Sequence, residues 1–74
     1  MKIIVTEIQK FADGNMSTPS YAFDEQNAAE AKYHSILAGA AKSALPVHAC
    51  IMFSEEGFPL KYECYKHEAS ESAE

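Results

Sequence analysis

The sequence predicts an α+β domain in which one long helix packs on one face of a small antiparallel sheet of three to four strands. Two segments with strand-like alternation precede a run of strong helix formers, and two more follow it, in the order β-β-α-β-β. Turn-forming residues separate the strands of each pair, at Asp13-Gly14-Asn15 and at Glu55-Glu56-Gly57. Strands joined by such short turns pair antiparallel, and a single helix can cover only one face of their sheet.

The first two strands are predicted over residues 2–11 and 16–23. The segment from Lys2 to Phe11 is rich in isoleucine and valine, and its apolar residues fall on both faces of a strand. Pro19 lies inside the second segment and has no N–H group to donate to a sheet. We therefore expect the second strand to lie at an edge of the sheet.

The helix is predicted to follow an N-cap at Asp24, with Glu25 in its first turn, and to be strongest over residues 28–42. Phe23 is placed to act as a hydrophobic staple, and Pro46 closes the segment. Apolar residues recur at three- and four-residue steps and form a stripe that should face the core. The stripe consists of Ala29, Tyr33, Ile36, Leu37, Ala40, Ala41 and Ala44.

The last two strands are predicted over residues 47–54 and 58–67, and the first of them is partly apolar on both faces. One face carries Val47, Ala49, Ile51 and Phe53, and the other carries His48, Cys50 and Met52. We expect the second set to lie on the face that the helix leaves uncovered. An apolar face of this kind needs a second subunit or a ligand, so the sequence favours a homo-oligomer.

Length and charge restrict the class of protein. A chain of 74 residues has room for one domain, which we place at residues 1–67, followed by a disordered acidic tail at residues 68–74. Six lysines, no arginine and eleven acidic residues give a net charge of −5, which argues against nucleic-acid binding. The longest apolar run is too short for a membrane span, so we expect no membrane association and a cytoplasmic location.

The two cysteines are expected to be free thiols of a reduced compartment, about two or three residues out of register on neighbouring strands. His48, Cys50 and Cys64 form the beginning of a zinc site, but their spacing matches no common zinc module. Cys64 could also pair with His48 or His67 as a nucleophile, although acidic surroundings disfavour a thiolate. We therefore expect no metal, no cofactor and no catalytic residue, and a protein that is not an enzyme.

The candidate ligand-binding residues are lysines, tyrosines and histidines concentrated at three short sites on ordered elements. A lysine can meet a phosphate as a point charge, a tyrosine can stack on a ring, and a histidine can bond a hydroxyl or a phosphate. The set consists of Lys32, Tyr33, His34, His48, Tyr65 and His67. The alternative interpretation is that these residues are a solvated helix face and ordinary core aromatics, and the sequence leaves both open.

Three stretches of the chain carry a resemblance to a known group: EAKYHSILA (30–38), PVHA (46–49) and ECYKH (63–67). With these, the chain between residues 13 and 67 resembles small, largely uncharacterised proteins of Firmicutes phages. The resemblance implies a protein that acts in the cytoplasm of an infected bacterial host.

Two functions from different classes fit that setting. The first is a non-catalytic, oligomeric anti-defence protein that sequesters a nucleotide-derived immune signalling molecule. The second is a phage structural, accessory or protein-interaction module that binds another phage or host protein. A third possibility is a host-enzyme inhibitor that mimics nucleic acid, for which a charge of −5 is weak support.

Overall fold

The computed structural model describes residues 1–67 and shows one helix packed against an antiparallel sheet of five strands. The elements in chain order are β1 (Ile3–Lys10), β2 (Met16–Ser17), β3 (Ser20–Phe23), α1 (Gln26–Lys42), β4 (Val47–Ser54) and β5 (Pro59–Lys66). The predicted α+β class, with one helix packed on an antiparallel sheet, is confirmed, although the sheet has five strands rather than three to four. The acidic tail predicted at residues 68–74 lies outside the described residues.

Strands β1 and β4 form the centre of the sheet and pair antiparallel along their whole length, from Ile3–Ser54 to Lys10–Val47. Strand β5 pairs with the other side of β4, while β2 and β3 share the other side of β1. The predicted second strand is therefore two short strands separated by Thr18 and Pro19, because proline cannot donate to the ladder. Its expected edge position is confirmed.

The core lies between α1 and one face of the central strands. The helix buries four residues of the predicted stripe, while Leu37 is half-buried and Ala41 is exposed. Ala44 lies beyond the end of the helix and is also exposed. The buried apolar residues of this core are Ile3, Val5, Ala29, Tyr33, Ile36, Cys50 and Met52.

The expectation that His48, Cys50 and Met52 lie on the uncovered face is wrong. These residues lie beneath the helix, where Met52 has no exposed surface and His48 is 6% exposed. Alternation divides a strand into two sets of side chains, but it does not say which set the helix covers. The face of the sheet that α1 leaves uncovered is therefore the one that carries Val47 and Ile51.

The start of the helix also differs from its prediction. The N-cap is Glu25, which has an extended backbone (φ −117°, ψ 138°) and whose side chain makes no capping bond, and the first turn holds no acidic residue. The carboxylate of Asp24 instead forms an ion pair with the ammonium group of Lys2. Lys2, the residue that precedes β1, therefore binds the carboxylate that was predicted to cap the helix. Lys42 lies in the last turn as predicted.

The β4–β5 hairpin sets the position of the two cysteines. It contains a register shift between Met52 and Phe53, which adds one residue to β5. Cys64 is thus paired with Ala49, one residue from Cys50 and on the opposite face, rather than two or three residues away. Both cysteines are free, as expected.

Candidate functional site

The face of the sheet turned away from α1, which we call the open face, is an apolar surface that no other element of the described residues covers. Most of its side chains are half-buried by one another, and Tyr62 is 74% exposed. The register places on it Ile4, Ile8, Val47, Ala49, Ile51, Phe53, Tyr62 and Cys64.

A groove of about 330 Å³ lies in the middle of the open face. Its floor includes the small side chains of Ala49 and Cys64, which are cross-strand partners. The larger side chains of Ile8, Ile51 and Tyr62 form its walls. A small pair between larger neighbours leaves a depression that an apolar or aromatic side chain from another molecule can fill.

The two ends of the open face carry opposite charges. At one end Lys10 and Lys66 flank Val47, because each is its cross-strand partner. At the other end lies the β4–β5 turn with the exposed residues Glu55 and Glu56, and the carboxylate of Glu55 accepts a hydrogen bond from the backbone N–H of Lys2. The open face is therefore basic at one end and bordered at the other end by a turn that holds two acidic residues.

Three of the six predicted ligand residues come together at the β5 side of the helix. His48 and Tyr65 are cross-strand partners, and the rings of Tyr65 and His67 stack with centroids 6.3 Å apart. The Nε2 atom of His67 donates a hydrogen bond to the carbonyl oxygen of Ala40, at 2.8 Å, and so ties the end of the sheet to the last turns of the helix.

His48 is buried and forms a hydrogen bond with Glu7 on β1. Its Nε2 atom lies 2.6 Å from a carboxylate oxygen of Glu7, and the two side chains are 8% and 17% exposed. Gln9 donates a further hydrogen bond to the same carboxylate at 3.2 Å. The Nδ1 atom of His48 is buried and has no hydrogen-bond partner among residues 1–67. This arrangement is a buried polar pair, which stabilises the fold only while both members are present.

The remaining predicted residues lie elsewhere. The ammonium group of Lys32 lies 4.3 Å from the ring centroid of Tyr21 on β3, a cation–π contact. Tyr33 is buried in the core, and its ring meets that of the exposed His34 edge-on, with centroids 5.4 Å apart.

The six residues therefore do not form one site within a single copy of the chain. The side chain of Lys32 contacts Tyr21 on β3. A carboxylate oxygen of Glu30, two residues earlier on the helix, lies 3.4 Å from the ammonium nitrogen of Lys61 on β5. Because β3 and β5 lie at opposite sides of the sheet, Lys32 and the His48–Tyr65–His67 group are separated by the helix itself.

The cysteines are not placed for the chemistry considered from the sequence. Burial, followed by the negative charge of Glu7, raises the pKa of Cys50 to about 11, so its thiol stays protonated at neutral pH. His48 and Cys64 point to opposite faces of the sheet. Within residues 1–67 no group of three or more histidine, cysteine or acidic side chains is arranged to hold a metal ion.

The open face is the surface that the sequence interpretation missed. Its signal was present, because β4 and the start of β1 carry apolar residues on both faces, but the wrong set of β4 was assigned to solvent. On β5, Tyr65 is the one partly buried residue and lies on the face towards the helix. Tyr62 lies on the opposite face, beside Ile51.

Comparisons of the chain with protein-family models, curated proteins and solved structures find no match. The resemblance to phage proteins therefore stays a prediction. In the described part of the chain, α1 is neither long nor apolar enough to cross a membrane.

Proposed function

We propose that this protein is a non-catalytic protein-interaction module whose binding surface is the open face. The observation that supports this most strongly is an apolar face, centred on the groove over Ala49 and Cys64 and interrupted towards β3 by Thr6 and Ser20, that nothing in residues 1–67 covers. Exposed apolar patches beyond a few hundred Å² are unusual on monomers and mark interaction sites.

The size of the face agrees with this role. Strands of eight residues, four abreast, measure about 26 Å by about 19 Å, or roughly 500 Å². That is a large surface for a chain of 74 residues, whose hydrophobic core contains only seven buried side chains among the described residues. In the setting implied by the phage resemblance, the module would act in the cytoplasm of an infected host, on another phage or host protein or on a copy of itself.

Site-specific photo-cross-linking tests this function. A benzophenone amino acid is introduced in place of Tyr62, on the open face, and in a separate control in place of Ala38, an exposed residue of α1. Illumination of producing cells should yield protein adducts from position 62 and only background from position 38. Equal yields at the two positions, or no adduct at position 62, would show that the open face is not the binding surface.

Sequestration of a nucleotide-derived molecule is a second candidate. The observation that favours it is the group formed by His48, Tyr65 and His67, which supplies a stacked aromatic pair beside a histidine. Because Lys32 lies on the far side of the helix, a ligand that contacts all of these residues must bind where two copies meet.

Native mass spectrometry with added cyclic dinucleotides and ADP-ribose derivatives tests the second candidate. Stoichiometric ligand mass on an oligomer, lost in the variant Lys32→Ala, would support it. If the mass of the protein shows no bound ligand with any nucleotide tested, sequestration is excluded for these molecules and the protein-interaction module remains the proposed function.

A further inference from the structure

We infer that the partner of the open face is a second copy of this chain, stacked face to face with its strands antiparallel to those of the first. The inference rests on the proposed function and names its partner. It is carried by three properties of the open face: its area, the distribution of its charges, and the fit between Tyr62 and the groove.

The area suits a closed dimer of two small chains. Two faces of roughly 500 Å² each bury about 1,000 Å² together, which is the lower limit for a specific interface. Residues 68–74 of the chain are unsuited to cover this surface themselves, because they contain only glutamate, serine and alanine. A two-fold dimer instead places apolar side chains of the same kind on both sides of the interface.

The charges select one of the two possible two-fold arrangements. If the axis ran along the strands, the basic ends of the two copies would lie over each other, with Lys66 of one copy near Lys10 of the other, and like charges would repel. If the axis runs across the strands, the basic end of each copy lies over the acidic end of the other, and β5 stacks on β5. The row of Val47 and Lys66 then stacks on the row of Phe53, and the turn of the other copy that holds Glu55 and Glu56 lies just beyond it, twice in the dimer.

The same axis brings a knob over a hole. The middle of β4 lies between Ala49 and Ile51, so rotation about that point stacks the row of Ala49 and Cys64 on the row of Ile51 and Tyr62. Tyr62, which is 74% exposed in one copy, is then positioned over the groove of the other. The contact occurs twice, and aromatic side chains in such pockets contribute most to interface affinity.

The first experiment measures mass against concentration by analytical ultracentrifugation of the full chain. We expect a reversible change from 8.1 kDa to twice that mass. The variant Tyr62→Ala should raise the dissociation constant about tenfold or more, and Tyr62→Phe should leave it within a few-fold, because the ring is kept. Since Tyr62 is exposed in one copy, Tyr62→Ala should keep the circular dichroism spectrum of the folded domain.

A charge exchange tests the antiparallel arrangement. Lys66→Glu and Glu56→Lys should each weaken the dimer, whereas the double variant should return the dissociation constant towards that of the wild type, because the stacked ends of the two copies again carry opposite charges at these positions. A dissociation constant that rises further in the double variant than in either single variant would overturn the antiparallel stacking.

Thiol labelling gives an independent readout on the unmodified protein. Cys64 lies in the interface of the dimer and is exposed in the single chain, while Cys50 is buried in both. Alkylation of Cys64 should therefore slow as the protein concentration rises through the dissociation constant, and Tyr62→Ala should abolish that slowing. A chain that stays at 8.1 kDa, or a rate of Cys64 alkylation that is independent of concentration, would overturn the inference.

The proposed function and this inference can fail separately. A monomer that nevertheless cross-links from position 62 to a different protein would overturn the second copy as partner and retain the interaction module. A dimer that is unaffected by Tyr62→Ala and forms no adduct from position 62 would overturn both.

Discussion

Met52 and Ile51 are neighbours on β4 whose side chains lie on opposite faces, so truncating each to alanine measures which face is the core. Met52 has no exposed surface and packs against Val5 beneath the helix, whereas Ile51 is half-buried on the open face. Met52→Ala should lower the free energy of unfolding by about 3 kcal/mol, within the usual range for a buried methionine. Ile51→Ala should lower it by about 1 kcal/mol, since much of its apolar surface is already exposed to water in a single copy.

The difference is large for a domain of this size. Its total stability should be about 4–11 kcal/mol, at the usual 0.05–0.15 kcal/mol per residue. A loss of about 3 kcal/mol lowers the Tm of so small a domain by roughly 12–24 °C, whereas about 1 kcal/mol lowers it by roughly 4–8 °C. The thermal unfolding of Met52→Ala should therefore begin at temperatures at which the wild-type domain is still folded.

The assay is urea unfolding followed by circular dichroism, at a protein concentration where ultracentrifugation shows single chains. If the proposed dimer forms, higher concentration should stabilise the wild type and Met52→Ala more than Ile51→Ala, because only Ile51 would lie in its interface. If Ile51→Ala costs as much as Met52→Ala in the single chain, the assignment of the two faces is refuted.

Three further predictions concern the helix, the thiols and the N-terminal ion pair. Leu37→Asp should destabilise the domain by about 2 kcal/mol or more, because it places a charge against the core; an unchanged Tm would contradict the orientation of α1. Iodoacetamide at about pH 8 should modify Cys64 in the single chain and spare Cys50, whose pKa burial raises to about 11; peptide mass spectrometry that finds Cys50 modified first would reverse this. The hydrogen bond and charge of Lys2 hold the pKa of Asp24 below its ordinary 3.8, so the pair stabilises the fold above that pH and is lost below it. Lys2→Met should therefore lose less stability than the wild type on acidification, measured as urea midpoints at about pH 7 and about pH 3.

Most of the secondary structure followed from local patterns. The alternation of β1 and β4, the turns at Gly14 and Gly57 and the run of helix formers before Lys42 are all short-range signals, and each specified its element. Both glycines adopt the left-handed backbone that these turns require, at φ +94° and +93°.

The errors in the sequence interpretation all concern contacts between distant residues. Asp24 failed as an N-cap because Lys2, 22 positions earlier, binds its carboxylate. The offset of the cysteines was wrong because the irregularity beside Met52 depends on how β5 pairs with β4. Neither effect is visible in a window of neighbouring residues.

The candidate ligand residues show the same limit. Lys32, Tyr33 and His34 are consecutive in the chain, yet one contacts β3, one is buried and one is exposed, because successive helix residues point in different directions. His48 and Tyr65, by contrast, are distant in the chain and become neighbours through the register of β4 and β5.

The sequence by itself determined the α+β class, with one helix on an antiparallel sheet and more apolar strand surface than that helix can cover. These properties depend on composition and on periodicity, which are local. Only the tertiary structure decided that α1 packs over Cys50 and Met52 and leaves Ile51 and Tyr62 uncovered. The physical reason is that both faces of β4 are apolar enough to be buried, so the choice between them depends on how the helix and the sheet pack together as a whole.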